Sequence, residues 1–148
     1  MQERIHEIVE IKDLKDMLKK SGELYGDRPA YKFKTDEEGK FDIITHKEVR
    51  EMIDALGTAF IKLGLKGKRI AVISENRYEW GISYLAVTCG TGVIVPLDKS
   101  LPENEIQSLI ERSEVEAICY SKKYDEIMKK MKDNGVRKIK NFNINGLN

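Results

Sequence analysis

The sequence predicts an α/β fold: a largely parallel sheet flanked by helices, preceded by an N-terminal helix and a β-hairpin. Three observations carry this expectation. Short apolar runs at Arg69–Ser74, Val93–Leu97 and Ala117–Tyr120 are separated by stretches of helix length, the spacing of β-α-β crossovers. The stretch Trp80–Val87 is apolar on almost every face, which marks a helix buried between layers. Thr45-His46-Lys47-Glu48 is a capping box ahead of the most regular amphipathic pattern in the chain.

Taken in order, residues 3–11 alternate poorly and read as a strand or an arm. Leu14, Met17, Leu18, Ser21, Leu24 and Tyr25 share one helical face, and Gly26 stands where that helix should stop. Pro29–Lys34 alternates apolar with basic residues, Asp36–Lys40 turns, and Phe41–Ile44 returns, which makes a hairpin. In the helix opened by the capping box, Val49, Met52, Ile53, Leu56, Phe60 and Leu63 recur at three and four. Gly57 on that face would admit a strand closely, and Gly64-Leu65 reads as a left-handed cap with its apolar contact.

The parallel half begins near Arg69. Its first strand is apolar on both faces, and Asn76, with Glu79 three residues later, is placed to cap the buried helix. Thr88-Cys89-Gly90-Thr91-Gly92 turns the chain into Val93–Leu97, a run that reads as a strand covered on both faces. Pro102-Glu103 opens a helix carrying Ile106, Leu109 and Ile110. After the Ala117–Tyr120 strand, Tyr124, Ile127, Met128 and Met131 form a last helix, stopped near Asn134-Gly135. Val136–Ile139 begins a fourth strand. The expected organisation is one unit over 1–148: an arm at 1–11, helix, hairpin and helix over 12–66, and the parallel half over 67–142.

Composition excludes several classes. Lys plus Arg number 26 and Asp plus Glu 25, a net charge of +1 over 148 residues, so no electrostatic footprint for nucleic acid exists. The longest apolar stretch, Trp80–Val87, is far short of the ~20 residues that span a bilayer. The N-terminus breaks every apolar run with charge, unlike a signal peptide. Cys89 and Cys119, in apolar surroundings, fit a reducing cytoplasm better than a disulfide framework. With only His6 and His46 as histidines, no metal-ligating or Cys/His pattern is present. His46 lies inside the cap sequence, which gives it no chemistry.

In an open parallel sheet, ligands sit beyond the carboxyl ends of the strands. Here those positions are Ser74-Glu75-Asn76, Asp98-Lys99-Ser100 and Ser121-Lys122. Each is explained equally well by capping or turn formation. The glycine-rich Thr88–Gly92 loop resembles a phosphate cradle, but it follows a helix and leads into a strand, whereas such cradles precede a helix N-terminus. It reads as a helix terminator. Ser121–Lys140 is rich in lysine and arginine (Lys122, Lys123, Lys129, Lys130, Lys132, Arg137, Lys138, Lys140) against Asp125, Glu126 and Asp133, and a solvated helix face accounts for it.

Several segments together resemble the adenylate-forming acyl ligases, the superfamily of fatty acyl-CoA synthetases, luciferase and peptide-synthetase adenylation domains. Ile44-Thr45-His46-Lys47-Glu48-Val49 is similar to the family's first core motif, Leu-Thr-Tyr-x-Glu-Leu, with His46 in place of Tyr. Ala71–Trp80 resembles its strand and Asn-x-x-x-Trp helix start, and Leu85–Asp98 its second core motif, a glycine turn running into Val-Pro-Leu-Asp. Thr91 occupies the usual glycine position, with Gly90 and Gly92 flanking it. Leu101-Pro102-Glu103-x-Glu105-Ile106 continues the likeness, which covers about residues 11–121.

The resemblance implies the N-terminal subdomain of an acyl-CoA synthetase/luciferase-like fold. It implies a parent enzyme that joins a carboxylic acid, a long-chain fatty acid by the branch it resembles, to ATP with Mg²⁺. Coenzyme A then displaces AMP from the acyl-adenylate. A carboxylate is a poor electrophile, and adenylation gives it a leaving group, with cations stabilising charge on the transferring phosphate. The family's Ser/Thr/Gly loop ending Pro-Lys-Gly, its Gly-x-Thr-Glu motif, its ribose-binding Asp motif and its C-terminal lysine do not occur here. No catalytic, cofactor-binding or metal-binding residue is therefore assigned, and no cofactor is expected on this chain. Three readings stay open: an inactive N-terminal piece of a cytoplasmic ligase, completed by the rest of that chain; a free-standing α/β domain holding a small phosphorylated ligand at the Ser74/Asp98/Ser121 edge; or an interaction module whose arm, 1–11, pairs with a second copy.

Overall fold

The computed structural model describes residues 8–34, 39–133 and 139–145. The elements run α1 (Leu14–Tyr25), β1 (Pro29–Lys34), β2 (Phe41–Thr45), α2 (His46–Lys62), β3 (Arg69–Ile73), α3 (Tyr78–Thr88), β4 (Val93–Pro96), α4 (Glu103–Arg112), β5 (Ala117–Tyr120), α5 (Asp125–Asp133) and β6 (Lys140–Asn143), with a 3₁₀ turn at Lys122–Tyr124. β1 and β2 pair antiparallel, and β3–β6 form a parallel sheet in the order β4-β3-β5-β6. Residues 8–11 have no regular structure. The first residues of the expected arm, the hairpin tip at 35–38 and the helix stop at 134–135 lie outside the described residues. The fourth strand starts at Lys140, and Val136–Lys138 are outside the described set as well.

Local chemistry explains the helix ends. The Glu48 N–H donates to Thr45 Oγ1 at 3.2 Å, and the Thr45 N–H donates to Glu48 Oε2 at 2.7 Å, the reciprocal bonds of a capping box. At the other end of α2, Gly64 takes a φ of +78°. The Leu65 N–H reaches Phe60 O and the Gly64 N–H reaches Ile61 O, each at 3.0 Å. That is the Schellman arrangement, with Leu65 and Phe60 both buried.

Crossovers stepping in opposite directions along a parallel sheet must run over opposite faces if each is right-handed. Accordingly, α2 and α3 pack on the face bearing Ile70, Val72, Ala117 and Cys119. The return step puts α4 and α5 over Ala71, Ile73, Ile118 and Tyr120. The hairpin docks on α3, where Tyr78 meets Phe33 with ring centroids 4.9 Å apart. β6 closes on α2 through Phe142, edge-on to Phe60 at 5.3 Å.

Three expectations are corrected, and the exposure of α1 is added to them. The Val93–Leu97 run is the rim of the sheet, with Val93 55% exposed, because β5 pairs on the other side of β3. The α3 helix buries only Glu79, Ile82, Ser83, Ala86 and Val87, while Trp80, Tyr84 and Leu85 are half-buried beside that rim. The α1 helix has no fully buried residue, and Leu14, Leu24 and Tyr25 are exposed on it. Gly57 faces the Ala86 carbonyl and Thr91 Oγ1, so it admits the α3–β4 corner rather than a strand.

Loss of the Thr45 hydroxyl in Thr45→Ala should lower unfolding free energy in urea by about 1 kcal/mol. Phe60→Ala, which empties the joint between α2 and β6, should cost about 3–5 kcal/mol.

Candidate functional site

β3 sends its chain one way to β4, and β5 sends its chain the other way to β6. Their adjacent carboxyl ends are therefore the topological switch point, where open parallel sheets hold ligands. The structure brings Ser74-Glu75-Asn76 and Ser121-Lys122 together there, and Asp98-Lys99-Ser100 joins them from the end of β4.

These side chains are tied to one another. Ser121 Oγ, fully buried, donates to Glu75 Oε2 in a very short hydrogen bond. Ser74 Oγ donates to the Glu75 carbonyl at 2.8 Å. Lys99 Nζ donates to Asn76 Oδ1 at 2.9 Å, and the Ser100 N–H to Asp98 Oδ1 at 2.8 Å. The Tyr124 hydroxyl donates to the Lys99 carbonyl at 3.3 Å, and the Lys122 N–H to Asn145 Oδ1 at 2.7 Å. Each loop is thus pinned to its neighbour across the strand ends. Tyr124 and Asn145 carry no sequence signal for this role, because their partners lie 25 and 23 residues away.

Asn76 does not cap α3. Its carboxamide oxygen is taken by Lys99, and the helix begins at Tyr78 with Arg77 at the N-cap and no side-chain cap bond. Glu79, the expected partner in that cap, is instead buried. Arg77 grips it with Nε to Oε2 at 2.8 Å and Nη2 to Oε1 at 2.5 Å. This bidentate pair satisfies both oxygens of a buried carboxylate, while the Arg77 side chain itself is half-buried.

Electrostatics reinforce the ties. Burial pushes the Glu75 carboxyl up, but the Ser121 hydroxyl, a backbone amide, Arg77 and Lys123 together hold it below its ordinary value. The Ser100 amide holds Asp98 low in the same way. Burial, with Glu75 and Asp98 nearby, raises Tyr124, so its hydroxyl stays protonated and donating. Both cysteines are free, and burial pushes the Cys119 thiol up to about 12, which keeps it an inert neutral group.

The Thr88–Gly92 loop lies at the opposite, amino end of the sheet. The Cys89 N–H donates to Leu85 O at 2.9 Å, and the Thr91 and Gly92 N–H groups converge on Val87 O at 3.1 and 3.0 Å. Amides consumed by the last helical carbonyls cannot cradle a phosphate. A Cβ at Gly92 would sit 2.2 Å from the Lys68 carbonyl, so the glycine serves close backbone approach. Among the described residues no cluster of three or more His, Cys, Asp or Glu side chains could hold a metal. No described helix is long and apolar enough to cross a membrane. Among the described residues the edge's polar groups form hydrogen bonds between the loops, the Ser121 hydroxyl on the Glu75 carboxylate being the most buried of them.

Because the Glu75 pKa is lowered on folding, its contribution to stability is present above the ordinary carboxyl value and is lost as pH falls through the folded one. In an NMR titration the Glu75 side-chain carbon should have its midpoint below 4.5, and Ser121→Ala should move that midpoint upward. An unmoved midpoint would show that the hydroxyl does not hold the carboxylate.

The family model of AMP-binding enzymes matches residues 18–143. Fatty acyl-CoA synthetase A of Dictyostelium discoideum is 33% identical over 92 residues, covering 61% of this chain and 14% of that protein. The putative acyl-CoA ligase YdaB of Bacillus subtilis is 29% identical over 57% of this chain and 17% of its own length. This chain therefore spans about a sixth of the length of such relatives. Among solved structures, the N-terminal domain of FACL13 from Mycobacterium tuberculosis superposes with a TM-score of 0.75 at 15% identity, over 90% of this chain and 34% of that one. The N-terminal subdomain of NpsA from Klebsiella oxytoca gives 0.69 at 21% identity, over 93% and 31%. The fold is that of the N-terminal subdomains of acyl-CoA ligases and adenylation domains. By the match across most of its length, the chain belongs to the family of AMP-binding enzymes.

Proposed function

We propose that this chain is the N-terminal scaffold of an AMP-forming carboxylic acid–CoA ligase working in the cytoplasm. The complete enzyme activates a long-chain fatty acid through an acyl-adenylate, using ATP, Mg²⁺ and coenzyme A. The 148 residues are structural and inactive by themselves, and the single unit they form is completed by the rest of the ligase chain. The observation that supports this best is the internal bonding of Ser74, Glu75, Asn76, Lys99 and Ser121 at the switch point, which ties the loops after β3, β4 and β5 to one another. The names of the curated relatives, fatty acyl-CoA synthetases and acyl-CoA ligases, favour a fatty acid over an amino acid as the activated carboxylate.

The residues here would contribute position. β3 and β5 fix the loops that follow them, and the Arg77–Glu79 pair fixes the start of α3. ATP would supply the leaving group for the carboxylate, and the groups that meet its phosphates belong to other parts of the enzyme.

The test is fatty-acid-dependent exchange of pyrophosphate into ATP. The protein extended through its downstream reading frame should support it, and the 148-residue chain should not. Exchange by the short chain, or none by the extended one with any fatty acid, would overturn the proposal. A second reading is favoured by the exposure of Ile8, Val9 and Ile11, at 68, 42 and 52%: the arm pairs with a second copy. Sedimentation should then show a dimer that is lost when residues 1–11 are removed.

A further inference from the structure

The net charge of +1 hides an uneven distribution. Because the four strands are parallel, the turns that precede them collect at one end of the sheet. The end of α2, those turns and the strand starts bring Lys62, Lys66, Lys68, Arg69 and Lys140 there, against Glu114 and Glu116. The closing residues of α4 and α5, Glu111 with Arg112 and Lys132 with Asp133, add balanced charge. Both turn carboxylates are already taken: Lys68 Nζ lies 2.9 Å from Glu116 Oε1, and Arg69 Nη1 lies 3.0 Å from Glu114 Oε2. The Lys140 ammonium donates to the Leu63 carbonyl, a neutral group that leaves its charge in place. Lys62 and Lys66 are exposed, and among the described residues neither has an ion-pair partner. The charge left over at this end is positive.

Aliphatic side chains stand among these cations. Ile61 is 43% exposed, Leu63 45% and Val93 55%. The loops that carry them are joined. The Gly67 N–H donates to Thr91 O at 2.7 Å, the Val93 N–H donates to Lys68 O at 2.9 Å, and Lys140 reaches Leu63. They form one surface rather than separate tips. A Cβ at Gly64, Gly67 or Gly90 would meet no atom within 4 Å, so these turns stay low and the aliphatic groups project. One exposed aliphatic residue is ordinary. Three on one surface, set among cations whose counter-charges are used up, mark an interaction site.

We propose that the amino end of the sheet docks peripherally on a bilayer surface that carries anionic lipid. Lys62, Lys66 and Lys140 meet the headgroup anions, while Ile61, Leu63 and Val93 enter the boundary with the acyl chains. The aliphatic groups decide for a bilayer over a nucleic acid. Nucleic acids are held through phosphates and through bases stacked on aromatic rings, and no Phe, Tyr or Trp stands in these turns. A bilayer offers both an anionic surface and hydrocarbon beneath it. The docking stands apart from the ligase reading, because Ser74, Asp98 and Ser121 lie at the opposite end of the sheet and face away from the bilayer.

Co-sedimentation with vesicles tests this on the 148-residue chain and on the protein extended through its downstream reading frame. Vesicles of phosphatidylserine and phosphatidylcholine in equal parts should pull down both proteins at low salt, and vesicles of phosphatidylcholine alone should not. Lys62→Ala and Lys66→Ala, at exposed positions, should each weaken binding about fivefold. Lys122→Ala with Lys123→Ala removes charge from the carboxyl end instead and should leave binding unchanged. Leu63→Gln with Val93→Thr should weaken binding at constant net charge. No binding to the anionic vesicles, or equal losses from lysines at either end of the sheet, would overturn the proposal. Binding that ignores Leu63→Gln with Val93→Thr would make the surface a site for any polyanion and refute the bilayer. Binding by the short chain that disappears in the extended protein would make the surface an internal joint of the longer chain, which also refutes it.

Discussion

Keeping β3 dry is the constraint from which the rest of the architecture follows. Ile70, Ala71, Val72 and Ile73 all have 0% exposure, and they feed two separate cores, alternating between them residue by residue. Each large aliphatic side chain buried in this way contributes about 1.5–3 kcal/mol. A strand buried on both faces needs a strand on each side and helices above and below. β4 and β5 supply the first, and α2–α3 with α4–α5 supply the second. Because the four strands are parallel, every turn after a strand lies at one end of the sheet and every turn before one lies at the other.

That segregation decides what each end can do. At the amino end the chain needs close packing, so Gly92 lets the backbone approach Lys68, and Thr91 is buried with its hydroxyl on the Ala86 carbonyl at 2.9 Å. At the carboxyl end the loops diverge, and polar residues collect where strand order reverses. Their hydrogen bonds run from one loop to the next, and the depressed Glu75 and raised Tyr124 pKa values both favour the protonation states those bonds need.

Much of this was legible in the sequence because it rests on local rules. The Thr45–Glu48 box, the Gly64-Leu65 cap and the apolar runs near 70, 93 and 117 each state their structure within a few residues. What was not legible depends on strand order. Val93–Leu97 and Arg69–Ser74 are equally apolar, and nothing local reveals that the first is a rim and the second a centre; only the return of β5 to the far side of β3 decides it. Asn76 and Glu79 have the spacing of a capping box, yet Arg77 claims the carboxylate and Lys99 claims the carboxamide, and the second of those contacts spans 23 residues. At the candidate edge, the three loops were read correctly as neighbours from the parallel topology, but their hydrogen-bond partners belong to tertiary structure.

On the function proposed above, family membership and the pinned edge fit a scaffold whose chemistry is completed by the rest of a ligase chain. The most direct measurement is a titration of the 148-residue chain with ATP and with a non-hydrolysable acyl-adenylate analogue, followed by backbone amide shifts. A scaffold gives no saturable change at Ser74–Asn76, Asp98–Ser100 or Ser121–Lys122 over the range in which adenylating enzymes bind these molecules. Saturable tight binding centred on those residues would show that the edge is a working site in its own right, contradicting that description.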